Sequence, residues 1–210
     1  MDSCITAACA IRDGYKPSFL HMNYGQLTEK RELISFNNIS EYYSINENLI
    51  FDISHLNLIG GSCLTDKSIT TPIANLKSQK IPISYVPFRN ANILSAAVSW
   101  SETINSEAIY IGAVEEDSSG YPDCRRSFFD SFEEVIKHGT KPETRIQIIT
   151  PLINLTKKEI IELGIALNAP LHLTWSCYQN NNKPCMVCDS CALRKRGFDK
   201  ANVKDPILEL

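Results

Sequence analysis

Four cysteines near the carboxyl end constrain this chain more than any other feature of its sequence. Cys177, Cys185, Cys188 and Cys191 follow the spacing C-x7-C-x2-C-x2-C. A C-x2-C pair places two sulfurs on one tight turn, and four thiolates close the tetrahedral shell of a structural zinc without an open position. Such a zinc fastens a loop and performs no chemistry. The sequence therefore predicts one structural zinc per chain.

Two alternatives to zinc remain open at the four cysteines. Disulfides are one, but no secretory leader is visible, and metal binding is the usual role of such a pattern in a reduced compartment. An iron–sulfur cluster is the sharper alternative, because C-x2-C-x2-C is part of a ferredoxin-like run. The C-x3-C-P continuation of that run is absent.

Composition limits the class of protein. With 210 residues, of which 43% are hydrophobic, the chain can bury one sizeable core. We expect one domain over residues 1–170 and a small zinc-binding segment with a terminal helix over residues 171–210. A net charge of −3 without a long Lys/Arg run argues against nucleic acid as a partner. The absence of an eighteen-residue apolar run or a leader predicts a cytoplasmic protein with no membrane partner.

Hydrophobic periodicity predicts alternating helices and strands along the chain. Expected helices are Cys4 to Ile11, capped by Asp2 or Ser3, then Thr28 to Tyr43, Ala91 to Ile104, Phe128 to Lys137, and a helix from the capping box Thr156–Glu159 to Leu167. Expected strands are Ser18 to Asn23, Leu49 to Ile53, Ala108 to Gly112 and Ile146 to Ile149, with Ile83 to Pro87 also extended.

This alternation predicts an α/β fold with a parallel sheet and helices on both faces. Ligands of such folds bind at the carboxyl ends of the strands. Polar signatures stand at those ends here, namely Tyr24-Gly25-Gln26, Gly112 and Pro151.

Several longer motifs identify a family. They are Asn23 to Gln26, Ile83 to Asn90, Asp117 to Arg125 (Asp-Ser-Ser-Gly-Tyr-Pro-Asp-Cys-Arg), Pro151 to Ile161, and Thr174 to Tyr178 with the cysteine box. With these motifs the chain resembles the PP-loop ATP pyrophosphatases, and within them the 7-cyano-7-deazaguanine synthases of queuosine biosynthesis. The resemblance implies a Rossmann-like domain of the adenine nucleotide alpha hydrolase type. Ser118 and Arg126 stand where this family usually has Tyr and Pro.

The start of the chain departs most from that family. Its members open with a strand and the phosphate loop Ser-Gly-Gly-x-Asp-Ser, of which this sequence has only Met1-Asp2-Ser3. We expect Met1 to be internal in the working enzyme, preceded by about a dozen or fewer mostly apolar residues. Without that central strand the sheet should be split, the stability marginal and the ATPase activity poor. Gly60-Gly61 precedes a polar loop and predicts a turn, not a second phosphate cradle.

The resemblance implies an ATP-dependent ligase that forms a C–N bond. It would convert 7-carboxy-7-deazaguanine and ammonia to 7-cyano-7-deazaguanine, activating a carboxylate and then an amide with ATP and magnesium. Nucleotide contacts are expected from the phosphate-loop remnant, the first strand end and the third strand end, which correspond to Asp2 and Ser3, to Tyr24, Gly25 and Gln26, and to Gly112.

Substrate contacts are implied for a second group of residues. Arg89 and Asn90 are candidates to pair with phosphate or the substrate carboxylate, since arginine binds carboxylates through two parallel hydrogen bonds. Asp123 and Arg125 would read the deazaguanine edge, with Tyr121 and Trp175 stacked on the ring.

Each assignment has a structural alternative. The arginines Arg89 and Arg125 could form surface ion pairs, Asp123 could shape a turn after Pro122, and Trp175 could cover the metal site. The remaining cysteines, Cys4, Cys9, Cys63 and Cys124, are interpreted as packed thiols.

Two other functions stay open at this stage. A tRNA-modifying PP-loop ATPase would bind RNA in a salt-dependent way. An inactive zinc-binding remnant of an enzyme would consume no ATP. Only the synthase consumes ATP in a manner that depends on ammonia and substrate. The sequence allows a homodimer.

Overall fold

The computed structural model describes residues 1–78, 80–115 and 120–208. Helices in this part of the chain are α1 (Asp2–Arg12), α2 (Glu29–Tyr42), α3 (His55–Ile59), α4 (Arg89–Ile104), α5 (Arg126–Gly139), α6 (Lys157–Ala166) and α7 (Asp189–Ala201). Strands are β1 (Phe19–Asn23), β2 (Asn48–Asp52), β3 (Ala108–Tyr110) and β4 (Gln147–Ile149). Short 3-10 turns cover Pro122–Cys124, Leu171–Leu173 and Pro206–Leu208. None of the described helices is long and apolar enough to cross a membrane.

All strand pairing in the described residues is parallel. β1 pairs with β2 from Phe19 opposite Asn48, and β3 pairs with β4 from Ala108 opposite Gln147. The α/β fold with parallel strands and helices is therefore confirmed. The described strands form two separate two-stranded sheets.

Local signals predicted most helices well, and their caps less well. The capping box at α6 is present, with the backbone N–H of Glu159 donating to Thr156 and the Glu159 carboxylate accepting from the Thr156 N–H. At α1 the prediction of Asp2 or Ser3 as the cap was wrong, because the helix begins at Asp2 and no side chain caps it. The Asp2 carboxylate instead binds Lys157.

The segment before α4 was predicted incorrectly. Residues 83–87 form turns and no strand, with the backbone N–H of Tyr85 donating to the carbonyl of Pro82 at 3.0 Å. Proline favours turns and donates no ladder hydrogen bond, so Pro82 and Pro87 account for the difference. Helix α4 begins at Arg89, directly after Phe88, which has a positive φ of 57°.

One core cluster joins both ends of the chain. Ile5 of α1, Ile160 and Ile161 of α6 and Phe198 of α7 are buried together. Gly164 allows α6 to approach α1 closely, because an added Cβ at this position would lie 2.9 Å from the Ile5 side chain. Helix α6 therefore lies against both α1 and α7.

Candidate active site and metal centre

A cavity of about 770 Å³ separates the two strand pairs. Residues 19–22 of β1 and all of β3 line it, and residues of α1, α2 and α4 complete its walls. Since neither strand has a described partner on that side, the cavity lies between two unpaired strand edges. One end of the cavity lies at the carboxyl ends of β1 and β3, next to Tyr24 and Gly112. Parallel α/β folds bind their ligands at such strand ends.

Six of the predicted site residues line this cavity. They are Ser3, Tyr24, Arg89, Asn90, Gly112 and Trp175. The structure thus brings together residues from α1, the ends of β1 and β3, the start of α4 and the segment before the cysteine box. The other predicted site residues do not line the cavity, namely Asp2, Gly25, Gln26, Tyr121, Asp123 and Arg125.

Tyr24 and Arg89 form the most defined pair at the cavity. The Arg89 guanidinium donates to the Tyr24 hydroxyl at 3.2 Å and lies 5.1 Å from the centre of its ring. Burial raises the pKa of Tyr24 to about 12, so the hydroxyl is neutral. Arg89 forms no ion pair with a carboxylate in the described residues. Its guanidinium remains able to bind an anionic ligand.

Gly25 and Gln26 shape the loop after β1 and do not line the cavity. Gly25 has a φ of 78°, and a Cβ there would lie 2.9 Å from Asn57. The Gln26 side chain is buried, accepting from the Tyr24 backbone N–H at 2.9 Å and donating to Glu32 at 3.2 Å. Both residues therefore hold Tyr24 in place.

Asp123 is buried and joined to the first turn of α4. Its Oδ2 accepts from the backbone N–H of Asn90 at 2.9 Å, and its carbonyl accepts from the Asn90 side chain at 2.8 Å. Burial raises the pKa of Asp123, although the Asn90 N–H and the charge of Arg89 lower it. Its neighbour Cys124 lines the cavity, and burial raises the pKa of that thiol to about 11, as expected for a packed cysteine.

Tyr121 lies in a cluster of hydroxyl groups beside Arg89. Its hydroxyl and that of Ser84 are 2.9 Å apart, and its ring centre lies 5.7 Å from that of Tyr85. Tyr178 is half-buried nearby, and desolvation raises its pKa. Arg125, in contrast, is exposed, and its backbone stands at the start of α5. The motif residues Asp117, Ser118 and Ser119 lie outside the described residues.

The first turn of α1 meets the end of β3 at very short range. A Cβ on Gly112 would lie 2.9 Å from the backbone of both Asp2 and Ser3, so only glycine fits there. The Asp2 carboxylate binds the ammonium of Lys157 at 2.6 Å. Burial raises the pKa of Asp2, but attraction to Lys157 and the terminal amino group outweighs it, and the net pKa is lowered.

The four cysteines of the box meet in space. Their sulfurs all lie within 4.8 Å of one another, and those of Cys185 and Cys191 are 3.9 Å apart. Tetrahedral zinc with bonds of about 2.3 Å separates its sulfurs by about 3.8 Å, so the cluster is consistent with zinc. Met186 has a φ of 60°, which closes the turn between Cys185 and Cys188.

Backbone groups surround the sulfur of Cys177. The N–H groups of Gln179, Asn180 and Cys185 point at it from 3.3 to 3.4 Å. Hydrogen bonds from Cys188 and Cys191, together with these amides, lower the pKa of Cys177. Such an arrangement stabilises a thiolate, which is the form that binds metals.

Trp175 belongs to both sites. It packs with Cys177, Cys188 and Cys191 and also lines the cavity. The Arg31 guanidinium stacks on its ring at 4.7 Å. Trp175 therefore lies between the cysteine cluster and the cavity.

Sequence reasoning missed Lys157, Arg31, Ser84 and Tyr178 at these sites. One signal was available for Lys157, because it is the first residue of α6, where the helix dipole disfavours a cation. Tyr178 directly follows a predicted metal ligand. Arg31 and Ser84 carry no local signal.

Comparisons with known proteins agree with this geometry. A family model described as "Queuosine biosynthesis protein QueC" matches residues 1–202. The 7-cyano-7-deazaguanine synthase of Chloroherpeton thalassium is 56% identical over 207 residues, spanning 99% of this chain and 92% of the relative. Proteins of the same name from Chlorobium chlorochromatii and Chlorobaculum parvum are 56% and 53% identical, each over 99% of this chain and 91% of the relative. The chain belongs to the QueC family of queuosine biosynthesis.

Proposed function

We propose that this chain catalyses the ATP-dependent conversion of 7-carboxy-7-deazaguanine and ammonia to 7-cyano-7-deazaguanine. The observation that carries the proposal is identity of 53–56% over 99% of the chain to proteins of that name. A cavity at the carboxyl ends of parallel strands, with a cationic side chain in its wall, supports it.

The chemistry requires two activations. A carboxylate oxygen first attacks the α-phosphorus of ATP and displaces pyrophosphate, and ammonia then displaces AMP from the acyl carbon and loses a proton to form an amide. The amide oxygen is activated in the same way by a second ATP. Loss of that oxygen with the nucleotide, and of two protons from nitrogen, leaves the nitrile. In such reactions an enzyme contributes chiefly by orienting groups and stabilising charge at the phosphoryl centre.

Arg89 is the residue that we assign to the substrate carboxylate or to the phosphate. Its guanidinium lines the cavity and has one hydrogen bond to a neutral tyrosine, so most of its donors remain for an anion. Tyr24 fixes the guanidinium through that bond and its ring. Asn90 joins this cation to the Asp123 turn.

The nucleotide end is assigned to the first turn of α1. Asp2 and Ser3 would hold phosphate and magnesium, with Gly112 allowing β3 to end against them. Tyr24 would contact the nucleotide, and Gly25 and Gln26 would support it from behind the wall. Such helix starts present free N–H groups to anions.

Recognition of the deazaguanine is assigned to Asp123, Arg125, Tyr121 and Trp175. Asp123 already uses one carboxylate oxygen for Asn90, so a base edge would bind its second oxygen. Trp175 lines the cavity directly. Arg125 is exposed and would act only on the part of a ligand that leaves the cavity.

Zinc is assigned to Cys177, Cys185, Cys188 and Cys191, where it would fasten residues 171–210 as a unit beside the catalytic domain of residues 1–170. The proposed partners are 7-carboxy-7-deazaguanine, ammonia and ATP, without a nucleic acid, and a homodimer is compatible with the fold.

Purified protein tests the function directly. It should consume ATP and form the nitrile only when 7-carboxy-7-deazaguanine and ammonia are both present, as measured by mass spectrometry of the product. ATP consumption that requires RNA would point to a tRNA-modifying enzyme. Absence of any ATP consumption by folded, zinc-loaded protein would contradict the proposal and favour an inactive remnant.

A further inference from the structure

Lys157 is a buried lysine in an unusual position. Its side chain is only 10% exposed, and its ammonium binds the Asp2 carboxylate at 2.6 Å across 155 positions of sequence. Lys158, the next residue, has a side chain that is 47% exposed and pairs with Glu162 one turn along. Two effects disfavour the ammonium of Lys157 at this position. The helix dipole disfavours a cation in the first turn of α6, and burial removes the charge from water.

The ion pair leaves part of the Asp2 carboxylate unused. Oδ2 accepts from Lys157, whereas Oδ1 is buried and has no hydrogen-bond partner among the described residues. A buried anionic oxygen without a partner is unfavourable unless a ligand completes it. Lys157 therefore holds one oxygen of Asp2 and leaves the other for a further cation or donor.

Helix α7 determines where Lys157 lies. Gly197 of α7 faces the backbone of Lys157, and a Cβ at that position would lie 3.0 Å from the Lys157 Cβ and 3.2 Å from its carbonyl oxygen. The same Cβ would lie 2.8 Å from Ile161. Any side chain at position 197 would push α6 away from α7 and shift Lys157.

We infer that Lys157 is a positioning residue for the nucleotide end of the site, which acts by holding the Asp2 carboxylate and is itself set in place by Gly197. The inference rests on the proposed function, in which Asp2 holds the magnesium and phosphate of ATP. It connects the cysteine box to that end, because α7 carries Cys191 and begins directly after Cys188.

Binding of the magnesium complex of a nonhydrolysable ATP analogue tests this inference by calorimetry. Lys157→Met and Asp2→Asn should each weaken binding by about tenfold or more, as expected when one partner of a partly buried charge pair is removed. In the Asp2→Asn background, Lys157→Met should have no further effect, because a residue that acts only through Asp2 has nothing left to position. The double variant removes both charges of the pair, so it keeps the test valid if Lys157→Met alone folds poorly.

Gly197→Ala tests the role of α7 in the same assay. It should weaken nucleotide binding in the wild-type background and have no effect in the Asp2→Asn background. Lys158→Met and Gly139→Ala are matched controls, since Lys158 is exposed and a Cβ on Gly139 meets nothing within 4 Å. Both should bind the analogue as the wild type does.

Unchanged affinity in Lys157→Met, or a full additional loss in the Asp2→Asn background, would overturn the inference. Failure of the wild-type chain to bind the analogue would overturn it as well. Nucleotide binding with the expected coupling, but without nitrile formation, would contradict the proposed function alone.

Discussion

The carboxylate of Asp123 accepts a hydrogen bond from the backbone N–H of Asn90 at 2.9 Å. This contact joins the 3-10 turn Pro122–Cys124 to the first turn of α4, where the N-cap residue Phe88 makes no side-chain cap. Because Arg89 lies between Phe88 and Asn90, the contact also orients the residue that we assign to the anionic ligand. Asp123 therefore supports the site as well as lying near it.

Removal of the Asp123 carboxylate should destabilise the protein. Asp123→Ala leaves the buried N–H of Asn90 without an acceptor, which costs about 1–3 kcal/mol of unfolding free energy. Asp123→Asn keeps an acceptor oxygen for this N–H, so its free energy of unfolding should fall less than that of Asp123→Ala. Urea unfolding measures both variants, and equal stability of all three proteins would show that the contact carries no stability.

The raised pKa of Asp123 predicts a pH dependence. A carboxyl whose folded-state pKa lies above its ordinary value of 3.8 stabilises the fold below that value and loses this contribution as pH rises through the folded-state pKa. The stability of wild type relative to Asp123→Asn should therefore fall from pH 4 toward neutral pH. Urea unfolding of both proteins across this range measures it, and a rise instead of a fall would contradict the burial argument.

Substitution of Arg89 should reduce activity without unfolding the protein. Its described hydrogen bond is one contact of 3.2 Å to Tyr24, so Arg89→Met should remain folded by circular dichroism. Loss of a cation from an anion site should lower kcat/KM by about a hundredfold. Tyr24→Phe removes the same hydrogen bond but keeps the positive charge of Arg89, so its kcat/KM should fall much less. Full activity of Arg89→Met would show that the site map is wrong.

The metal centre predicts about one zinc per chain and loss of folded structure on chelation, because metal binding energy is folding energy at such sites. Cys188→Ser should lower the zinc content and the stability together. Cys63, interpreted from the sequence as a packed thiol, is fully buried, so in Cys63→Ser a hydroxyl there should cost about 1–3 kcal/mol while zinc content stays unchanged. Atomic absorption and thermal unfolding measure both, and bound iron with a visible chromophore would exclude zinc.

Arg194 should be among the most sensitive residues outside the site. Its side chain is 4% exposed, binds Asp205 through two hydrogen bonds of 2.6 and 2.8 Å, and donates to Thr174 at 2.8 Å. Arg194→Met leaves Asp205 buried and unpaired and should destabilise by about 3–5 kcal/mol. Lys195→Met, which removes an exposed pair with Asp199, should change stability by less than about 0.5 kcal/mol. Equal effects in thermal unfolding would contradict this.

Helix positions were predictable from the sequence because their signals are local. The expected helix Thr28 to Tyr43 is found as Glu29–Tyr42, and the capping box at Thr156 is formed as its residue spacing predicts. Hydrophobic periodicity and capping act within one or two turns, so they need no knowledge of distant residues. The strand expected at residues 83–87 does not form, because turn formation at Pro82 and Pro87 outweighs the apolar pattern of the segment.

The sequence by itself determined the four-cysteine cluster and the parallel α/β class, since the cysteines fall within fifteen positions and strands alternate with helices in order. Only the tertiary structure decided which distant groups meet. Asp2 binds Lys157 across 155 positions, Asp123 binds Asn90 across 33, and Gln26 turns away from the cavity to hold Tyr24. Such contacts depend on how helices and strands pack, and packing is set by volume and close approach at residues such as Gly112 and Gly197, which leave no periodic signal in the chain.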